Sequence, residues 1–339
     1  MKSSQDPVDV WALSDLCTPW CVHVVATLRI ADHIAAGITD IGGLAAASGA
    51  HAESLHRVLR HLVAKGVFEE PHPGRFSLNE PARALLDPSA HLGLDLDSFG
   101  GRMARAWDTL LDAVRTGKPA YHTVFGRPFW DDLEAHPDIA TTFDALMGPA
   151  GHGQPDPDVL IGGDWASVRT VVDVGGGTGA LLAAVLRAHP TARGTLVDLP
   201  RTVARSGEIF QSAGVADRLT LRGQSFFDPL PPGADLYLLK NVLADWPDRE
   251  ASALLTRCAE AARPSGRVVV LGGVSPDDKG GSPPDLLMLV LVGGKARSLA
   301  EFRELARAAG LEVRAAQRQS SYRFVVECAP ILAEQQAPV

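Results

Sequence analysis

A chain of 339 residues is long for a single hydrophobic core and comfortable for two. Its net charge of -8 and pI near 5.8 argue against nucleic acid or an anionic membrane surface as partner, since both need a basic face. No run approaches the roughly 18 apolar residues of a membrane span, and the opening MKSSQDPVDVWALSD lacks the basic-then-apolar order of a secretory signal, so a cytoplasmic protein is expected.

From Trp11 to about Pro157 the pattern is helical and alanine-rich. Cys17 and Cys21 open it. With Cys258 and Cys328 they form no Cys-x-x-Cys pair and have no His at zinc-finger spacing, so all four read as reduced core residues and no metal site is expected. Leu28, Ile30, Ile34 and Ile38 follow helical spacing, IGGLAAASG reads as a short helix and turn, and AESLHRVLRHLVAKGVF as an amphipathic helix ending at Gly66. VFEEPHPGRFSL then reads as a hairpin with Pro-Gly at its tip.

Helix, turn, helix and two-stranded wing is winged-helix order. The long helix carries His56, Arg57, Arg60, His61 and Lys65, but in an acidic protein a dimerisation and substrate-lid domain over 1–155 is the better expectation than DNA binding. LDSFGGRMARAWDTLLDAVRTG and FWDDLEAHPDIATTFDALMG are expected as further helices, with Trp107, Phe143 and Met147 either core or pocket lining. His152 opens HGQPDPD, a polar hinge into the second domain, 156–339.

There the texture becomes strand, glycine turn, helix. RTVVDVGGGTG, TARGTLVDLP, DRLTLRGQSF, ADLYLLKN and SGRVVVLGG give five strands, and LEVRAAQ with SYRFVVECA adds two more without an intervening helix. The expected fold class is α/β: a Rossmann-like domain with a mostly parallel seven-stranded sheet and an antiparallel edge, behind an α-helical winged-helix domain. The run Asp285 to Val290, which includes Met288, reads as a helix covering an acceptor.

The strongest signal is Asp173-Val174-Gly175-Gly176-Gly177-Thr178-Gly179, a strand entering a glycine turn and then a helix. Gly175, Gly177 and Ala180 fit a dinucleotide loop, while Asp173 with Gly175, Gly177 and Gly179 fits one for S-adenosylmethionine (SAM). Asp198 in TLVDLP suits the ribose of either. An acid just before the glycines favours a ligand with an ammonium group and no pyrophosphate. After the third strand, Ser225 offers a polar contact and Phe226 an apolar one to an adenine.

Together with FFDPLP, LKNVLADWPD and GGKARS, these residues resemble the small-molecule O-methyltransferases, typified by plant phenolic enzymes and bacterial antibiotic-pathway relatives, with the naphthoate branch of enediyne pathways most similar. The resemblance spans nearly the whole chain. It implies SAM as cofactor and S-adenosylhomocysteine as product, metal-independent chemistry, and a homodimer formed through the N-terminal domain. It adds Leu199 and Lys240 to the cofactor residues and Asn241 and Asp245 to the acceptor side. It also implies a His general base in Leu-Lys-x-x-x-His-Asp-Trp, flanked by two acids. Here the base position is Ala244 and the acid positions are Gly272 and Ala296.

An acceptor that is already nucleophilic needs no base, because orientation alone can supply effective molarities near 10⁵ M or more. Methyl transfer by positioning is therefore the expectation, with Asp245 and His152 as candidates for a proton acceptor. The alternatives are a SAM-binding enzyme that hydroxylates, decarboxylates or steers a pericyclic reaction, and a non-catalytic partner.

Overall fold

The computed structural model describes residues 8–277, 282–319, 321 and 323–332, with the backbone but not the side chain of His152. The candidacy of His152 as a base thus lies outside the described residues. Contacts divide the chain into two compact units at Ala104–Arg105.

In the first unit the helix Cys17–Thr27 packs on Ala52–Ala64. The helical run expected through Ile38 breaks at Arg29, whose φ of 55° ends one helix and admits another, Ile30–Ala35. Asp40 caps the short helix Ile41–Ser48, accepting from the Gly43 N–H at 2.9 Å, and Gly49 closes it in the left-handed region. Leu55, Leu59 and Leu62 put one stripe of Ala52–Ala64 into a core with Val25, Phe68 and Phe76. Strands β1 (Glu69–His72) and β2 (Arg75–Ser77) form the wing, antiparallel, turning through Gly74. Cys17 is exposed and Cys21 only half-buried, so of the four cysteines expected in cores only Cys258 and Cys328 lie there.

The second unit carries strands β3 (Thr170–Val174), β4 (Arg193–Asp198), β5 (Leu219–Gly223), β6 (Leu236–Lys240) and β7 (Arg267–Leu271). After them come the two-residue strands β8 (Val274–Ser275) and β9 (Arg297–Ser298), then β10 (Leu311–Arg318) and β11 (Phe324–Pro330). The main sheet runs β10-β11-β7-β6-β3-β4-β5, parallel from β3 to β7, with β11 antiparallel to both neighbours. Val172, Val174, Tyr237, Leu239, Val268 and Val270 feed the core on one face; Val171, Leu236, Leu238, Val269 and Leu271 feed that on the other. This two-sided burial explains the unbroken apolar strands. Because β4 and β6 leave β3 in opposite directions, a crevice opens at the carboxyl end of β3, where open α/β sheets place ligands.

The segment 105–152, expected with the first domain, falls in the compact unit that carries the sheet. Arg201 pairs with Glu134 at 3.1 Å and Arg205 with Asp144 at 2.8 Å, tying the helices Phe129–Ala135 and Pro137–Met147 to the segment after β4. Pro137 breaks what reads in sequence as one helix.

Candidate active site

The carboxyl ends of β3 to β6 and the helices Phe129–Ala135 and Pro137–Met147 enclose a cavity of about 370 Å³. That size is usual for a small-molecule site. Along the strand ends it is lined by Asp173, Gly175 and Gly177, by Asp198 and Leu199, by Ser225 and Phe226, and by Lys240, Asn241 and Asp245. The helices contribute Trp130, Phe143 and Met147.

Gly177 adopts φ of 61° with open space where a Cβ would stand, and its N–H donates to Asp198 Oδ2 at 2.8 Å. The Leu199 N–H donates to Asp198 Oδ1, also at 2.8 Å, so the carboxylate is aimed before any ligand arrives. Asp173 is buried, and neither carboxylate oxygen has a hydrogen-bond partner among the described residues. Burial, then the Asp198 charge, pushes its carboxyl up to about 7, with Lys240 opposing. Burial likewise lifts Asp198 to about 6. Lys240 is itself held below its ordinary value, first by burial. Buried Asp173 thus has one half-buried ammonium, Lys240, opposing its shift, with the Asp198 carboxyl adding negative charge nearby, an arrangement a cationic ligand would complete.

The opposite wall is aromatic. Trp130 and Trp246 lie nearly parallel with ring centroids 5.9 Å apart, and Phe227 meets Trp246 edge-on at 5.0 Å. Both indole Nε1 atoms are buried without an acceptor among the described residues. Burial pushes Asp245, on the same wall, up to about 7.

Ala244 does not line the cavity. It sits in the turn Leu243–Asp245, and a Cβ built on Gly273 would lie 3.1 Å from its Cβ, one on Gly294 only 2.0 Å from its carbonyl oxygen. At Gly272, φ is 81° and a Cβ would meet Asn241 Oδ1 at 2.0 Å; the Ala296 N–H donates to Asp285 Oδ1 at 2.7 Å. Small residues therefore close around the base position, and no carboxylate stands at either flanking position.

Arg297 was missed as a functional residue. Only 2% exposed, its guanidinium donates to Leu243 O and Trp246 O, both at 2.8 Å, and to Asp248 Oδ1 at 3.0 Å. It holds the turn that presents Asp245 and Trp246. The available signal was an Arg preceding a capping Ser-x-x-Glu, Ser298 to Glu301. Gly179 lies outside the cavity lining, because it packs on Phe210, whose ring a Cβ would meet at 2.4 Å. Trp107 and Met288 are also absent from the lining; the turn Trp107–Thr109 and the helix Pro283–Leu291 that carry them pack on each other instead.

Residues 107–312 match the model of the O-methyltransferase domain, and residues 11–88 that of the O-methyltransferase dimerisation domain. A 2,7-dihydroxy-5-methyl-1-naphthoate 7-O-methyltransferase of Streptomyces carzinostaticus is 46% identical, covering 93% of this chain and 96% of that one. Aclacinomycin 10-hydroxylase RdmB of Streptomyces purpurascens is 39% identical over 88% of this chain and 82% of its own. The solved structure of an O-methyltransferase from neocarzinostatin biosynthesis, in complex with SAM and 2-hydroxy-5-methyl naphthoic acid, superposes with a TM-score of 0.89 at 43% identity, over 96% of this chain and 100% of that one. With the glycine loop, the strand-end acids and the winged-helix unit already in place, these matches make the chain a member of the O-methyltransferase family.

Proposed function

We propose that the protein is a SAM-dependent O-methyltransferase that modifies a small aromatic secondary metabolite by positioning, without a His base. The observation that carries this reading is one cavity with a cationic-ligand half, Asp173 and Asp198, beside a planar aromatic half, Trp130 and Trp246. SAM supplies an electrophilic methyl group when bound. Asp198 and Ser225 suit its ribose and adenine, and Asp173 suits its ammonium. Trp130, Phe143 and Met147 wall the acceptor. Asp245, near 7, is the group on that wall able to accept the acceptor's proton.

The test is incubation with methyl-labelled SAM and hydroxylated aromatic acids, phenols and amines. Labelled product is expected. Altered product with SAM unconsumed would replace this reading with the non-methylating one, which similarity to a 10-hydroxylase favours as the alternative.

The same reading makes the protein a cytoplasmic homodimer with no nucleic-acid or membrane partner. Among the described residues no helix is long and apolar enough to cross a membrane. Val10, Trp11, Leu13 and Leu16 expose an apolar stripe, with Trp11 86% exposed, in and beside the segment that matches the dimerisation domain. Light scattering should give a dimer that Trp11→Asp converts towards monomer; a monomeric native protein would refute it.

A further inference from the structure

Cys17, Cys21 and His61 lie outside the cavity and take no part in the proposed reaction. Cys17 and Cys21 are four residues apart on the helix Cys17–Thr27, so their side chains share one face. His61 comes from the last turn of Ala52–Ala64, the helix packed against it. The two Sγ atoms are 3.9 Å apart, and with a His61 ring nitrogen all three atoms lie within 4.8 Å of one another. A tetrahedral zinc ion with Zn–S near 2.3 Å separates two sulfurs by about 3.8 Å. The thiol pair is already at that spacing.

We propose that these three side chains form a binding site for a thiophilic divalent cation of the zinc class, clasping the helix Cys17–Thr27 to Ala52–Ala64. Both thiols would bind as thiolates, releasing their two protons to solvent. Because Thr18 Oγ1 donates to Asp15, its 2.8 Å contact with His61 uses the Nε2–H, and on binding that proton would pass by solvent to Nδ1, freeing the Nε2 lone pair for the cation. Water fills the fourth position. No electron changes hands. Asp15 lies beside the site, accepting from the Cys17 N–H at 2.8 Å and from Thr18 Oγ1, and adds negative charge near the cation. Lys65, 3.5 Å from Asp15, offsets part of it. Burial and the neighbouring Cys17 push the Cys21 thiol up to about 11.

The purified full chain, reduced and stripped with chelator, is titrated with Co²⁺ without oxygen. A thiolate-to-cobalt charge-transfer band saturating at one ion per chain is expected, and Zn²⁺ should displace it. Cys17→Ser and Cys21→Ser should each abolish that band, and His61→Asn should weaken Co²⁺ binding at least about tenfold. Zn²⁺ should raise the melting temperature of the native chain but not of Cys17→Ser. Position 17 is exposed, so that variant is expected to fold even if Cys21→Ser does not. A native spectrum without the thiolate band, or a band that persists in Cys17→Ser, overturns the proposal.

Discussion

Replacing Asp198 with alanine should weaken SAM binding by about 100-fold or more. Two charge-assisted hydrogen bonds to a ligand contribute roughly 1.5 kcal/mol each, about 3 kcal/mol in all, and every 1.4 kcal/mol is a factor of ten. The loss is compounded because the same carboxylate orders the N–H groups of Gly177 and Leu199. Calorimetric titration with SAM measures it, and unchanged affinity would sink the ribose assignment.

The same instrument reads the charge of Asp173. In the free protein Asp173 titrates near 7 and Asp198 near 6, both above the ordinary 3.8. A raised acid stabilises the fold fully below its unfolded value, and that contribution is lost as pH rises through about 6 to 7. A ligand ammonium needs the ionised carboxylate, so SAM affinity should climb with pH to about 7 and then level. Binding near pH 6 should release protons, making the enthalpy depend on the buffer, and Asp173→Asn should remove most of that dependence. An enthalpy indifferent to buffer would show that the ammonium is held elsewhere.

Replacing Arg297 with methionine should lower stability by about 3 kcal/mol. It strips partners from the carbonyls of Leu243 and Trp246, and hydrogen bonds to a charged group are worth roughly 1.5 to 3 kcal/mol each. For a unit of this size that lowers the melting temperature by roughly 6 to 12 °C. Since the released turn carries Asp245 and Trp246, KM for the acceptor should rise as well, and Arg297→Lys should recover only part of each loss, because an ammonium cannot span both carbonyls with the guanidinium's fixed fork. A melting temperature within about 2 °C of native would mean the turn holds itself.

Much of this architecture is legible in sequence because each element repeats a local physical requirement. Strands buried on both faces read as apolar runs, and left-handed turns demand glycine, so β3, β4, β6, β7, β11 and the loop after β3 are visible as such, while the more exposed β5 and β10 are visible only from their place in the order of elements. The pairing of β8 with β9 was invisible, since two residues carry no periodicity. The continuous helices expected across Arg29 and Pro137 were wrong in detail: a single residue's dihedral or missing N–H ends a helix whose apolar spacing runs on. Asp173, Asp198 and Asp245 could be named as candidates, but not their burial, which is what displaces their ionisation.

Sequence alone determined the class of the molecule: the α/β order, the winged helix, the acid-bearing glycine loop, and the absence of a histidine at position 244. These depend on residue type and spacing along one strand or helix. Tertiary structure alone decided which distant residues share a surface. It put Trp130 beside Trp246, turned Arg297 from a surface-like letter into the buried anchor of the Ala244 turn, excluded Trp107 and Met288 from the cavity, and brought His61 to Cys17 and Cys21. Such proximities follow from how helices and strands pack against one another, and local sequence carries no record of that geometry.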